Sequence, residues 1–134
     1  KVRLPKDAPR GVYEISSDRT GDYVVFADQR VPLAICAPGG WRPVPMSPPV
    51  PVYFRVPGGT EPGRIHFEKT ARLFTPGGTP FRNGESLSGW IDLPANEPGL
   101  WYFESTDPGL VRTENLPGFF AMGDPAFYLE HELE

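Results

Sequence analysis

Cysteine occurs once in these 134 residues, at Cys36, so an intrachain disulfide is excluded and cysteine pairing says nothing about a redox compartment. Histidine is almost as scarce. His66 and His131 are far apart, and neither has a second His or Cys at the spacing of a zinc ligand pair, which speaks against a zinc site. Basic residues are outnumbered, 13 against 17 acidic, and the formal charge of −4 supplies no basic stripe for a nucleic-acid partner. No stretch approaches the roughly 20 apolar residues of a bilayer-spanning helix, and no charged-then-apolar leader opens the chain. A membrane partner is therefore not expected either. GxSxG, HExxH and Walker-type loops are missing, and no window carries the i, i+3, i+4, i+7 repeat of an amphipathic helix.

Proline and glycine are abundant, at 18 and 15 residues, about a quarter of the chain. That content touches the range of disordered sequence. The aromatics, 13% of residues, and recurring Val, Ile and Leu supply enough apolar area for a core, and the Pro and Gly fall between the apolar runs. They read as turn chemistry. PGGT occurs at 57–60 and again at 76–79, in each case after a strand-like run and never before a helix, so it marks a turn and not a phosphate cradle.

The runs between these turns alternate with the period of two that a half-buried strand requires. Residues 11–16 (GVYEIS) and 22–27 (DYVVFA) form an expected first hairpin, and 31–36 (VPLAIC) an expected buried strand that holds Cys36 as a small interior hydrophobe. The segment 37–51 has six prolines, which denies it both helix and central-strand hydrogen bonding, and it is expected to cross from one sheet to another. In RIHFEK, Ile65 and Phe67 point inward while Arg64, His66 and Glu68 point outward. Leu87, Ile91 and Leu93 point inward, leaving Ser88, Trp90 and Asp92 outside. Trp101 and Phe103 face the core, opposite Tyr102 and Glu104. Residues 110–115 form a further expected strand, and 117–130 (PGFFAMGDPAFYLE) an apolar closing strand with a short capping turn. The expected fold is all-β, an antiparallel β-sandwich of jelly-roll type with about eight strands. Residues 1–134 form one domain, and the opening KVRLPKDAP reads as a linker, so the chain is expected to be excised from a larger multidomain protein.

Carboxylates are one possible source of chemistry. Glu68, Asp92 and Glu104 on outer faces could in principle supply the acid and base of glycoside hydrolysis, but a linear sequence shows no pair at the required separation. Asp18, Asp22, Asp107 and Asp124 lie in turns, where a structural calcium could gather oxygens; otherwise no cofactor is implied. The exposed aromatics carry more. Sugar rings stack their C–H faces on aromatic rings while their hydroxyls need polar partners. Trp90 with Asp92, and Trp41 with Arg42, fit that chemistry, followed by Tyr102 and Tyr53. Each Trp has a competing reading: Trp41 as a lid on the edge of the core, Trp90 as a contact for a neighbouring domain.

The progression LPKDAPRGVYEI, VYFRVPGGTEPGRIHF, LFTPGGTPF and IDLPANEPGLWYFES resembles the β-sandwich accessory modules of bacterial secreted glycan-degrading enzymes, and is distantly similar to bacterial pre-peptidase C-terminal domains. The VPG turn at 56–58 and the GLW opening a strand at 99–101 carry the resemblance. It implies a secreted, non-catalytic carbohydrate-binding module that holds an enzyme on its polysaccharide or oligosaccharide, and it transfers no ligand-contacting residue. The alternative is a structural β-sandwich that packs against neighbouring domains of its parent chain.

Overall fold

The computed structural model describes residues 6, 7, 9, 33–37, 39–59 and 61–127. The hairpin expected at 11–16 and 22–27 lies outside them, as do Asp18 and Asp22. Seven antiparallel strands are described: β1 (Leu33–Cys36), β2 (Val52–Val56), β3 (Arg64–Phe74), β4 (Leu87–Asp92), β5 (Gly99–Glu104), β6 (Val111–Glu114) and β7 (Phe119–Met122). Two short 3₁₀ turns, Phe81–Gly84 and Pro125–Phe127, complete the described elements. The protein is all-β, as its period-two runs and Pro–Gly punctuation predict.

The strands join into one sheet in the order β1-β7-β2-β5-β3-β4, with β6 pairing β3 as well. That continuity comes from β3, whose 11 residues unite the RIHFEK and ARLF runs. Its first part pairs with β4 and β6, and its last three residues pair with β5. Between Phe67 and Ala71, β3 carries three residues where β4 carries only Ser88, so the register breaks there. Such a bulge bends a strand and increases its twist. On β4 the matching distortion falls at Gly89, whose φ of 74° a Cβ-bearing residue would resist. Ile65, Phe67, Ala71 and Leu73 all face inward on either side of the break. Lys69 falls at the inward position between them, yet it is exposed and its Nζ reaches Asp107 Oδ2 at 2.6 Å.

The core forms where the two portions of the sheet meet. Phe67 on β3 sets its ring edge-on against Phe103 of β5 at 5.0 Å. Phe54, Trp101, Phe120 and Val111 close around them, each 1% exposed or less. Trp101 is anchored at both ends, its ring meeting Phe81 edge-on at 5.2 Å and its Nε1–H donating to the Glu97 carbonyl at 2.8 Å. No polar or charged side chain is buried among the described residues.

Two expectations need correction. Cys36 is exposed, not interior. β1 pairs with β7, and alternation places Cys36 opposite Phe119 on the outward side while Ile35 packs against the core. An apolar run signals a strand but does not reveal how well each of its faces is covered. The Pro-rich segment after β1 also does not change sheets, because β1 and β2 both flank β7. It makes an excursion instead, touching β6 where Trp41 and Val111 exchange backbone hydrogen bonds of 2.9 and 2.7 Å, then returning past Thr106, whose carbonyl accepts from Met46 N–H at 2.9 Å.

Candidate functional site

Trp90 is one of two exposed large hydrophobic side chains among the described residues, at 36%, the other being Val44 in the Pro-rich segment. Its position follows from alternation, since Leu87 and Ile91 are the inward residues of β4. Antiparallel register then decides its neighbours. His66 on β3 is paired with Trp90 on one side and Arg112 of β6 on the other. One step along, Arg64 is paired with both Asp92 and Glu114. Two cross-strand rows thus lie side by side on the outward surface of β6, β3 and β4.

The first row surrounds the indole. The His66 ring meets it edge-on at 5.1 Å, the Arg64 guanidinium carbon lies 4.6 Å from its centroid, and that of Arg112 lies 5.6 Å away. β4 and β6 are two strands apart, so the Arg112 side chain must reach across β3 to come so close. Cations over an indole face are attracted by the ring quadrupole, and here they restrain the ring. The second row is ionic: Arg64 Nε lies 3.2 Å from Asp92 Oδ1, and Arg64 Nη1 lies 2.9 Å from Glu114 Oε2. His66 Nδ1 is buried without a hydrogen-bond partner.

Arg42 reaches the same surface from the Pro-rich segment by gripping Glu68, with Nη1 to Oε1 at 2.7 Å and Nη2 to Oε2 at 3.2 Å. Two-point contact of this kind sets both groups in one orientation. The hydrogen bond from Arg42 holds the Glu68 carboxyl below the usual carboxylate range. A bond from Lys69 Nζ, reinforced by the Gly109 N–H at 3.0 Å, does the same for Asp107. A depressed carboxylate contributes stability above its unfolded pKa and loses it as the pH falls through the folded one. Stability measured by urea midpoint is therefore expected to decline as the pH drops through and below the ordinary carboxylate range. The double variant Glu68→Gln, Asp107→Asn should flatten that decline, whereas an unchanged acid limb would remove these pairs from the account.

The remaining sequence candidates lie elsewhere. Trp41 is half-buried and belongs to the core margin, its ring tilted against Phe120 at 5.4 Å and its Nε1 buried without a partner. It fits the lid reading. Tyr53 and Tyr102 are cross-strand partners near the opposite end of β3, with ring centroids 5.1 Å apart, and Phe74 stacks on Tyr102 at 4.7 Å and 7°. Burial pushes the Tyr53 phenol up, helped by Tyr102, Asp124 and Glu104. Trp90, Asp92 and Arg42 are thus brought to one surface, Tyr53 and Tyr102 to a second cluster, and Trp41 to neither.

The three carboxylates singled out for hydrolysis, Glu68, Asp92 and Glu104, are spread along β3 and not gathered into a pair. Asp92 sits opposite Arg64, four residues from Glu68, which is roughly 13 Å along a strand and beyond the separations glycosidases use. Glu104 sits opposite Arg72, as far again in the other direction. Of the turn aspartates, Asp107 is held by Lys69 and Gly109, and Asp124 Oδ1 accepts from Ala126 N–H at 2.8 Å. No three His, Cys, Asp or Glu side chains converge on a metal position among the described residues.

Arg112 was not singled out from the sequence, because only the β3–β6 pairing brings it to Trp90. Phe74 was missed in the same way, although ARLF marks it as a strand residue. A polar cleft of about 200 Å³ opens beside the β3 bulge, lined by Thr70, Arg72, Ser86, Glu104 and Ser105 among others. The chain matches no family model, no curated protein and no solved structure.

Proposed function

We propose that the protein is a non-catalytic carbohydrate-binding module that tethers a secreted glycan-degrading enzyme to its polysaccharide. The observation that supports this most is the restrained, solvent-facing indole of Trp90 set among hydrogen-bonding side chains on a sheet surface. Stacking needs an apolar ring face, and hydroxyl groups need donors and acceptors at its rim. Trp90 supplies the first; Arg64, Asp92 and Arg112 supply the second. Strand register and the guanidinium contacts pre-order the set, which lowers the entropy lost on binding. Tethering then raises the effective concentration of substrate around the attached enzyme.

Calorimetric titration against soluble polysaccharides tests the reading. Trp90→Ala should weaken binding by about tenfold or more, in the range of an interface hot spot. Circular dichroism should be unchanged, since the side chain stands outside the core. Absence of binding to every glycan at roughly millimolar concentration, or equal binding by the variant, would sink the proposal.

A second reading, an interaction module that packs against a neighbouring domain, draws on the other cluster. Phe74 and Tyr102 stack face to face, so part of their ring area is already covered and less of it is open to a sugar. Three half-buried aromatic side chains from β2, β5 and β3 suit a protein contact better. Under this reading Tyr53→Ser with Tyr102→Ser weakens association with the neighbouring domain and leaves glycan binding intact.

A further inference from the structure

We infer that the glycan recognised at Trp90 is acidic, carrying a carboxylate or sulfate ester that Arg112 binds; this rests on the sugar-binding reading above. The argument is one of charge accounting on a single surface. Arg42 is matched by Glu68, Lys69 by Asp107, and Arg64 by both Asp92 and Glu114. Arg112 is exposed, and among the described residues it has no carboxylate partner; its contact is with the indole. Glu114, the nearest acid on its own strand and outward side, is turned to Arg64. The surface is near balance as a whole, because the two carboxylates on Arg64 offset Arg112, but those carboxylates are engaged by Arg64 and, among the described residues, Arg112 is left as the cation free to meet an anion.

Arg112 is also positioned. A Cβ on Gly40 would come within 2.7 Å of Arg112 Cγ and 2.9 Å of the Val111 carbonyl oxygen, and Gly40 itself has φ +105°. The bare glycine backbone therefore makes a seat for the stem of Arg112, and the guanidinium projects from that seat over His66 toward the indole. A substituent on a pyranose ring extends outward from its edge. When the ring stacks on Trp90, an oxyanion there meets the fork of a guanidinium, which presents two parallel donors to carboxylate or sulfate. A neutral sugar would leave that cation and its donors without a charged partner. The net charge of −4 does not oppose this strongly, because exposed charges beyond about 8 Å are largely screened at physiological salt.

The test titrates the 134-residue chain with polygalacturonate and alginate as carboxylate glycans, carrageenan as a sulfate glycan, galactomannan and xyloglucan as neutral ones, and duplex DNA as a non-glycan polyanion. Acidic glycans of either kind should bind about tenfold or more tightly than neutral ones, and weaken as salt rises. Arg112→Gln should remove that preference by weakening acidic glycans about tenfold more than neutral ones, which lose only a hydroxyl partner, and Arg112→Lys should restore part of it. Trp90→Ala should weaken acidic and neutral glycans alike. Equal binding of neutral and acidic glycans, or an Arg112→Gln variant that behaves as wild type, overturns the inference and leaves the sugar reading standing. Duplex DNA bound as tightly, with the same dependence on Arg112, also overturns it, by showing an anion site with no preference for sugar. Failure of every glycan to bind overturns both.

Discussion

Trp101→Ala is expected to lower the unfolding free energy by about 3–5 kcal/mol, the range for truncating a fully buried Trp. The residue is 0% exposed and lies at the middle of β5, opposite Phe54, which is equally buried. Phe81 rests its ring edge on the indole, and the Nε1–H ties the loop before β5 through the Glu97 carbonyl. Truncation would empty the largest fully buried side-chain volume and release the 3₁₀ turn that Phe81 begins. A domain of this size commonly has a total stability of about 5–15 kcal/mol, so much of the margin would vanish. Urea denaturation followed by circular dichroism measures the loss. Trp101→Phe keeps most of the volume and gives up the hydrogen bond, so its cost should be clearly smaller. A loss under about 1 kcal/mol for the Ala variant would mean that the site collapses freely or that the packing is not as described.

Phe67→Ala is expected to cost about as much, again roughly 3–5 kcal/mol, for a different reason. Phe67 is the last inward residue before the bulge in β3, paired with Gly89 and Val111 on the neighbouring strands. Because Gly89 has no side chain, Phe67 has no cross-strand partner on β4 and fills the interior there by itself. Its ring meets Phe103 of β5, so it connects the β4–β3–β6 portion to the β2–β5 portion. A double-mutant cycle with Phe103→Leu should show a coupling of about 0.5–1.5 kcal/mol, the usual value of an edge-to-face aromatic pair beyond its buried area. Strict additivity would show that the two rings stabilise the fold independently, against the contact seen here.

Much of the fold was legible in the sequence because alternation is a local property. The inward set Ile65, Phe67, Leu87, Ile91, Leu93, Trp101 and Phe103 follows from counting by twos, and all are buried. The same count placed Trp90 outside and Trp101 inside, although both are Trp in strands. Partnership between strands is not local. Nothing in VRTE says that it lies against RIHF, yet that pairing carries Arg112 to Trp90 and makes the surface what it is. Trp41 shows the same limit from the other side: a Pro-rich loop with an aromatic predicts neither a bridge to Val111 nor a ring on Phe120. Cys36 was misjudged because hydrophobicity reports the preference of a side chain, whereas its exposure depends on how the pairing of β1 with β7 orients and covers it.

The sharing of β3 has a consequence for how the molecule comes apart. In a sandwich of two independent sheets, one sheet can loosen while the other stays paired. Here β3 supplies ladder partners to β4, β5 and β6 at once, and Phe67 sits at the bend between them. Freeing β3 from either side removes the backbone partners and the core wall of the other. Its sequence-distant partners also mean that little of the core can assemble before the chain has closed long loops, a topology that folds slowly for its size. The expected behaviour is a single cooperative transition, with the Trp90 surface and the aromatic cluster at the two ends of β3 lost together.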